Sequence, residues 1–583
     1  MCVGKGIFNM SEKVMGPKAP KDPSKKQQAF YVMRYKEVCG SPLPDGKGTT
    51  FIYEDGGRLI NSAKLVGNIE DEEILKLLET TEGFRKLVHS IGVTVETDNP
   101  DEIVNFAFQH YGKTDPYVTG TTLNLPVKAD GMESLLILDE CTWSDDDKCP
   151  GQIRFEFDKA GTMAKVAVKF YLNDGFTAPP VEDDKEVDFA SDEYKKLIDK
   201  SLLNVGNNVR IKRAIDKARK GEEVTLAFIG GSITQGAGAV PINTKCYTRK
   251  IYEGFCKLAG VKPDENVHYI KAGIGGTPSE LGMIRYDNDI LQNGKVKPDV
   301  VLVEFAVNDA GDETEGRCYD SLVRKIFESE NEPAVILLFA VFQDGFNLQE
   351  RLAPVGAAYN VPMVSTKDCV YEQFYLKPDN GRVVSKSQYF YDCFHPTNIG
   401  HTVMADGVLR LMEVMDKAPY DELPVPLSKI KAPIGGEFED VHFFDRAYNE
   451  AGAVIKEGSF TEKDSDVQGV ERDMNTTQTP TFPNNWLYDA KKDGKAEPFE
   501  LDITAKSLLI VYKDSASASF GTAEVFVDGE KKLTIDPHIV GWTHANPFIV
   551  FESDKAAAHH VTVSMKPGDE DKNFTILGFG YVK

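Results

Sequence analysis

The sequence predicts a multidomain protein. At its centre lies a three-layer α/β/α sandwich with a parallel sheet, between an amino-terminal mixed α+β domain and a carboxyl-terminal β-sandwich. Three observations carry this fold class. The chain has 583 residues, more than one hydrophobic core supports, so length alone predicts about three or four domains. Within residues 188–417 short apolar runs alternate with helical patterns, as in parallel βαβ units joined by right-handed crossovers. Beyond the proline-rich stretch 419–433 (PYDELPVPLSKIKAP) the pattern becomes all-β, with turn signals such as Asp528-Gly529 and Pro567-Gly568.

The elements follow in chain order. Residues 1–28 are rich in Lys, Pro and Gly and read as a mobile tail. The amino-terminal domain spans 29–187. Its segment 71–90 has helical spacing, with Ile74, Leu75, Leu78, Phe84, Leu87 and Val88 on one face. Pro100, followed by Asp101 and Glu102, predicts a second helix running to about Tyr111. Strands are expected at 135–138, 152–157 and 164–171, and a polar linker at 181–187. No motif reveals the role of this domain. In the central domain, 188–417, helices at 192–203 and 208–220 lead into a strand at 225–229, and further strands are expected at 267–272, 300–306, 334–341 and 361–365. A linker, 418–436, precedes the β-sandwich, 437–583, whose strands are expected at 508–512, 523–527, 532–535, 548–551, 560–565 and 575–582.

Composition excludes several functions. With 41% hydrophobic and 27% charged residues the chain resembles soluble globular proteins. No apolar run approaches the roughly 20 residues that span a bilayer. The amino terminus lacks a continuous apolar segment, and the nine cysteines are scattered without a CxxC pair, so the expectation is a cytoplasmic protein in a reducing compartment. A net charge of −24 argues against nucleic acid or an anionic membrane as partner and leaves a neutral substrate. No cofactor is called for, and homo-oligomerisation is left open.

Four stretches carry chemistry. The first is VTLAFIGGSITQGAG, 224–238, where an apolar strand stops at two glycines and Ser232. Ligands bind beyond the carboxyl ends of strands in open α/β sheets, so Ser232 is a nucleophile candidate. By itself the stretch is also consistent with a glycine turn and a helix-capping serine. The second is KAGIGGT, 271–277, whose glycines either let backbone N–H groups approach an oxyanion or form a helix-leading turn. The third, FAVND, 305–309, offers the Asn308 amide as an oxyanion donor or a loop cap. The fourth, DCFHP, 392–396, places Asp392 three residues before His395, close enough for the carboxylate to fix the imidazole tautomer.

Taken in this order, the four blocks resemble the SGNH hydrolase superfamily, the GDSL-type esterases, over residues 208–417. Two positions depart from the family pattern: Gly231 stands where the family motif has Asp, and Ala306 where Gly often leads. Gly231 is expected to widen the space beside the nucleophile. The resemblance implies that Ser232 attacks an ester, that His395 is its base and that Asp392 orients His395. It further implies that the N–H groups of Ser232 and Gly276, with the Asn308 amide, hold the oxyanion, and that no metal takes part. His401, six residues after His395, reads as structural.

An SGNH domain followed by a β-sandwich resembles the two-domain carbohydrate acetylesterases that act on acetylated mannan, whose sandwich is similar to a carbohydrate-binding module and can close over the active site. That likeness implies removal of O-acetyl groups from manno-oligosaccharides, favouring 2-O-acetyl mannose. Trp486 and Trp542, with His544, lie in polar, turn-like surroundings and are candidates for stacking on sugar, a buried core tryptophan being the alternative. Two other readings stay open: an esterase for acetylxylan or another acyl ester, and a sugar-binding protein without catalysis.

Overall fold

The structure is a computed structural model that describes residues 2–3, 28–180, 184–470, 479–492 and 496–583. Most of the expected tail, and residues 181–183 of the first expected linker, lie outside the described residues. The chain divides into two compact units. One comprises Met1–Asp188, Gly238–Ile242 and Gln373–Gly400, and the other Phe189–Ala237, Asn243–Glu372 and His401–Lys583. The amino-terminal domain therefore shares its unit with the segment that carries Asp392 and His395.

In the first unit two sheets enclose a core built on Phe30, Phe84, Phe106, Phe108, Phe155 and Phe170. The expected helix over 71–90 is two short helices, Glu72–Leu77 and Thr81–Leu87, followed by the strand Val88–Thr97. The break is local chemistry: Thr80 caps the second helix by accepting the Gly83 N–H at 3.0 Å. The helix expected from Pro100 to Tyr111 is instead the strand Ile103–Gly112, paired on both edges with Thr122–Lys128 and Asp147–Phe157. Val104, Phe106 and Phe108 recur every second residue and are fully buried, so the period-2 core pattern overrides the helix-start signal of Pro100 and the acids after it.

In the second unit the six-stranded sheet runs in the order Leu202–Asn204, Met363–Ser365, Ala334–Phe339, Val300–Glu304, Val224–Gly230, Val267–Gly273. Its pairings are parallel except at the Leu202–Asn204 edge. Leu226 and Phe228 pack against helices Val209–Arg219 and Tyr247–Ala259 on one face. Ala227 and Ile229 pack against Ser279–Asp289 and Arg317–Phe327 on the other. Burial on both faces is why this strand reads as an unbroken apolar run. The chain leaves Val224–Gly230 for a neighbour on one side and returns to a neighbour on the other. This strand is therefore the topological switch point, whose carboxyl end is a crevice for ligands.

The carboxyl-terminal region is an antiparallel sheet dominated by Phe499–Asp514 and His544–Met565. The strands expected at 548–551 and 560–565 are one strand, because pairing with Phe499–Asp514 continues through both, with bulges near Ser507. Leu509, Val511 and Ala545 belong to the same core cluster as Ile284 and Tyr319 of the α/β domain, so the sandwich is packed onto a helical face of the sheet domain. Among the described residues no helix is long and apolar enough to cross a membrane. No group of three or more His, Cys, Asp or Glu among them is placed to hold a metal ion.

Candidate active site

Strand Val224–Gly230 ends at Gly231, and Ser232 opens the short helix Ser232–Gln235. This strand-to-helix turn is held from beneath. The buried Arg285 guanidinium donates to the Gly230 carbonyl at 3.0 Å and is paired with Asp289 at 3.1 Å. The Thr234 hydroxyl donates to buried Glu304 at 3.0 Å. Gly230 has no room for a side chain, since a Cβ there would sit 2.1 Å from Thr234 Oγ1.

Asn308 lies over the turn. A Cβ on Gly231 would come within 2.3 Å of Asn308 Oδ1, so the missing side chain leaves no widened space beside the nucleophile. The Asn308 amide fills it, which corrects the expectation from sequence. The Asn308 Oδ1 atom is buried with no hydrogen-bond partner among the described residues. Gly275 and Gly276 form the next wall: a Cβ on Gly275 would lie 3.9 Å from Ser232 Cβ, and Gly276 adopts φ +72°, a conformation that favours glycine. Ser232, Gly276 and Asn308 are thus brought together within the second unit.

Asp392 and His395 lie in the first unit. The carboxylate accepts His395 Nδ1 at 2.8 Å and the backbone N–H groups of Phe394 and His395, each at 2.8 Å. Burial pushes the Asp392 carboxyl up, but the His395 imidazole and the N–H donors outweigh it and hold it at about 2. The Tyr391 N–H donates to the His395 carbonyl at 2.7 Å and closes the turn. The bond from Nδ1 to the carboxylate fixes the orientation of the imidazole ring.

Residues 228–403 match the GDSL-like Lipase/Acylhydrolase family. The protein carries a GDSL-like acylhydrolase domain. It is an esterase. No curated protein matches the sequence. Among solved structures, a two-domain esterase active on acetylated mannans matches at 26% identity with a TM-score of 0.54, covering 66% of this chain and 99% of that one. A two-domain esterase active on acetylated mannans, co-crystallised with mannopentaose, matches at 26% identity with a TM-score of 0.54, covering 66% of this chain and 98% of that one. A catalytic mutant of an acetylxylan esterase from Geobacillus stearothermophilus matches at 20% identity and a TM-score of 0.25, covering 33% and 95%.

The carboxyl-terminal sandwich meets the acylhydrolase domain at the glycine loop. A Cβ on Gly276 would lie 3.0 Å from His544 Nε2 and 3.1 Å from Trp542 Cζ2, and one on Gly275 would lie 3.9 Å from Trp542 Cη2. Gln468 Nε2 donates to the Gly275 carbonyl at 3.1 Å, while its Oε1 accepts the Ala545 N–H at 2.8 Å. Trp542 is 43% exposed and stands edge-on to His544. Trp486 is elsewhere. It is fully buried in the sandwich core, packs on Phe499 and donates to Glu457 at 3.0 Å, so its ring offers no face to a sugar. His401 accepts the Tyr247 N–H at 3.2 Å and bonds the Ala237 carbonyl through Nε2 at 3.0 Å, a structural role.

Sequence reasoning missed Arg285 and Asp309. The Asp309 carboxylate follows Asn308 and accepts both the Ser279 N–H and hydroxyl at 2.7 Å, tying the Asn308 loop to the helix after the glycine block. An Asn-Asp pair at a strand end was the only signal in the sequence. Burial pushes Asp309 up to about 7 despite the Ser279 bonds. A folded value above the ordinary one means that the protonated form favours folding. That stability is complete below about pH 4 and is lost as pH rises through about 7. Asp309→Asn is therefore expected to gain Tm relative to the parent as pH rises from 4 to 8. Parallel Tm curves for the two proteins would refute it.

Proposed function

We propose that the protein is a serine esterase that removes O-acetyl groups from carbohydrate, with acetylated manno-oligosaccharides as substrate and the 2-O-acetyl of mannose as the preferred group. Ser232 Oγ attacks the acetyl carbonyl and His395 takes its proton, because an unassisted serine hydroxyl is too weak a nucleophile near neutral pH. Asp392 fixes the His395 tautomer and stabilises the imidazolium. The N–H groups of Ser232 and Gly276 and the Asn308 amide hold the oxyanion, each such donor being worth roughly 3 kcal/mol of barrier in comparable sites. The sugar hydroxyl departs with the proton from His395, and water then attacks the acetyl-enzyme by the same route.

The observation that carries the carbohydrate reading is the wall that Trp542 and His544 form against Gly275 and Gly276 beside Ser232. A half-exposed indole beside polar groups suits the apolar face and hydroxyl rim of a sugar better than a fatty acyl chain. The likeness to an esterase active on acetylated mannans points the same way.

The test is acetate release from acetylated mannan, acetylated xylan and a long-chain ester. Mannan is expected to be the best substrate, and faster release from xylan or turnover of the long-chain ester alone would replace this reading. Trp542→Ala is expected to lower the ratio of kcat/KM on acetylated oligosaccharide to that on p-nitrophenyl acetate by about tenfold, the loss of one stacking contact.

A further inference from the structure

The first unit contains a cavity of about 250 Å³ bounded by strand Gly48–Tyr53, helix Arg58–Gly67 and the Asp392/His395 turn. Its strand and helix walls belong to the amino-terminal domain and lie outside the matched residues 228–403. Building on the proposed function, we infer that the amino-terminal domain supplies a sugar subsite here, one that holds a neighbouring residue of the acetylated oligosaccharide beside the proposed base His395.

The strand provides the stacking surface. Side chains alternate along a strand, so Ile52 is buried in the core while Phe51 and Tyr53 face outward on the same side, 46% and 54% exposed. Phe394 lines the same cavity and is 44% exposed. Large aromatic rings left open around a concavity are costly in a folded protein unless something covers them, and sugar rings present the C–H faces that suit them.

The floor is polar. Glu54 is buried and accepts the Ser62 hydroxyl at 3.0 Å. Lys36 Nζ sits 3.9 Å over the Tyr391 ring, and Arg58 lies over the Tyr53 ring. Burial first of all pushes Glu54 up to about 7, against the opposing charge of Lys36, so near neutral pH its carboxyl both donates and accepts. Of the two cations lining the cavity, Arg58 is paired with Asp55, and Lys36 stands against the carboxyl groups of Glu54 and Asp392. That balance selects a neutral, hydroxyl-rich ligand over a phosphate or a polyanion. The volume suits a sugar residue rather than a single water. Because His395 itself lines the cavity, a ligand held there is next to the base.

The subsite is tested on the full chain with Phe51→Ala, Tyr53→Ala and Tyr53→Phe, using acetylated manno-oligosaccharides of increasing length and p-nitrophenyl acetate. For both alanine variants the ratio of kcat/KM on the longer oligosaccharides to that on p-nitrophenyl acetate is expected to fall about tenfold, mainly through KM. The gain in kcat/KM with chain length should flatten. Tyr53→Phe keeps the ring and should restore most of the ratio. Oligosaccharide turnover with an unchanged ratio and length dependence in both alanine variants overturns the subsite alone. A parent enzyme that turns over p-nitrophenyl acetate but no acetylated oligosaccharide overturns the proposed substrate, and the subsite with it.

Discussion

Ser232→Ala is expected to lower kcat for any acetyl ester by roughly a millionfold, the scale seen when the nucleophile of a serine triad is removed. The fold should survive, because Ser232 is a half-buried first residue of a short helix and alanine is a good helix former. The turn depends on the Arg285 bond to the Gly230 carbonyl and on Thr234 with Glu304, none of which involves the serine side chain. The variant should therefore unfold at the parent temperature and still bind oligosaccharide. Measuring kcat on p-nitrophenyl acetate beside Tm separates the outcomes: turnover within a hundredfold of the parent would remove Ser232 from the chemistry, whereas a large fall in Tm would make the loss of activity structural.

How much of this was legible in the sequence depended on how local the signal was. The central sheet was legible because its strands are buried on both faces, so each reads as a short apolar run, and the runs at 224–230, 267–273 and 300–304 appear close to their true limits. The blocks holding Ser232, Gly276 and Asn308 were legible because each sits just after such a run, at the carboxyl end of a strand of the same sheet. Strand 103–112 was not, because Pro100 with Asp101 and Glu102 imitates a helix start, and only the partners on both edges settle the conformation. Trp486 looked exposed because its sequence neighbours are polar, yet Asn485 turns its amide inward to the Asp464 and Phe482 carbonyls and the indole enters the core. The meaning of Gly231 required Asn308, 77 positions along the chain in number but adjacent in space. The packing of the amino-terminal domain with the Asp392/His395 segment likewise rests on contacts between residues more than three hundred positions apart, such as Asn61 with Cys393, and no periodicity encodes those.

Asp392→Asn is expected to lower kcat by roughly ten-thousandfold, as when a triad carboxylate becomes an amide. The carboxylate now accepts the ring Nδ1–H and two backbone N–H groups. An amide in the same place can present its NH2 to Nδ1, which stabilises the tautomer that carries its proton on Nε2 and cannot accept one from Ser232. The imidazolium formed during attack would also lose its counter-charge. Stability supplies an independent readout with a defined sign. The Asp392 carboxyl is held at about 2 in the folded protein, below its ordinary value, so it contributes stability above about pH 4 that disappears as pH falls towards 2. The asparagine variant should accordingly have a lower Tm than the parent at neutral pH, and the gap should close between pH 4 and 2. An unchanged kcat would mean that another group holds the His395 tautomer. A Tm gap that persists below pH 2 would mean that the substitution harms packing rather than removing a charge.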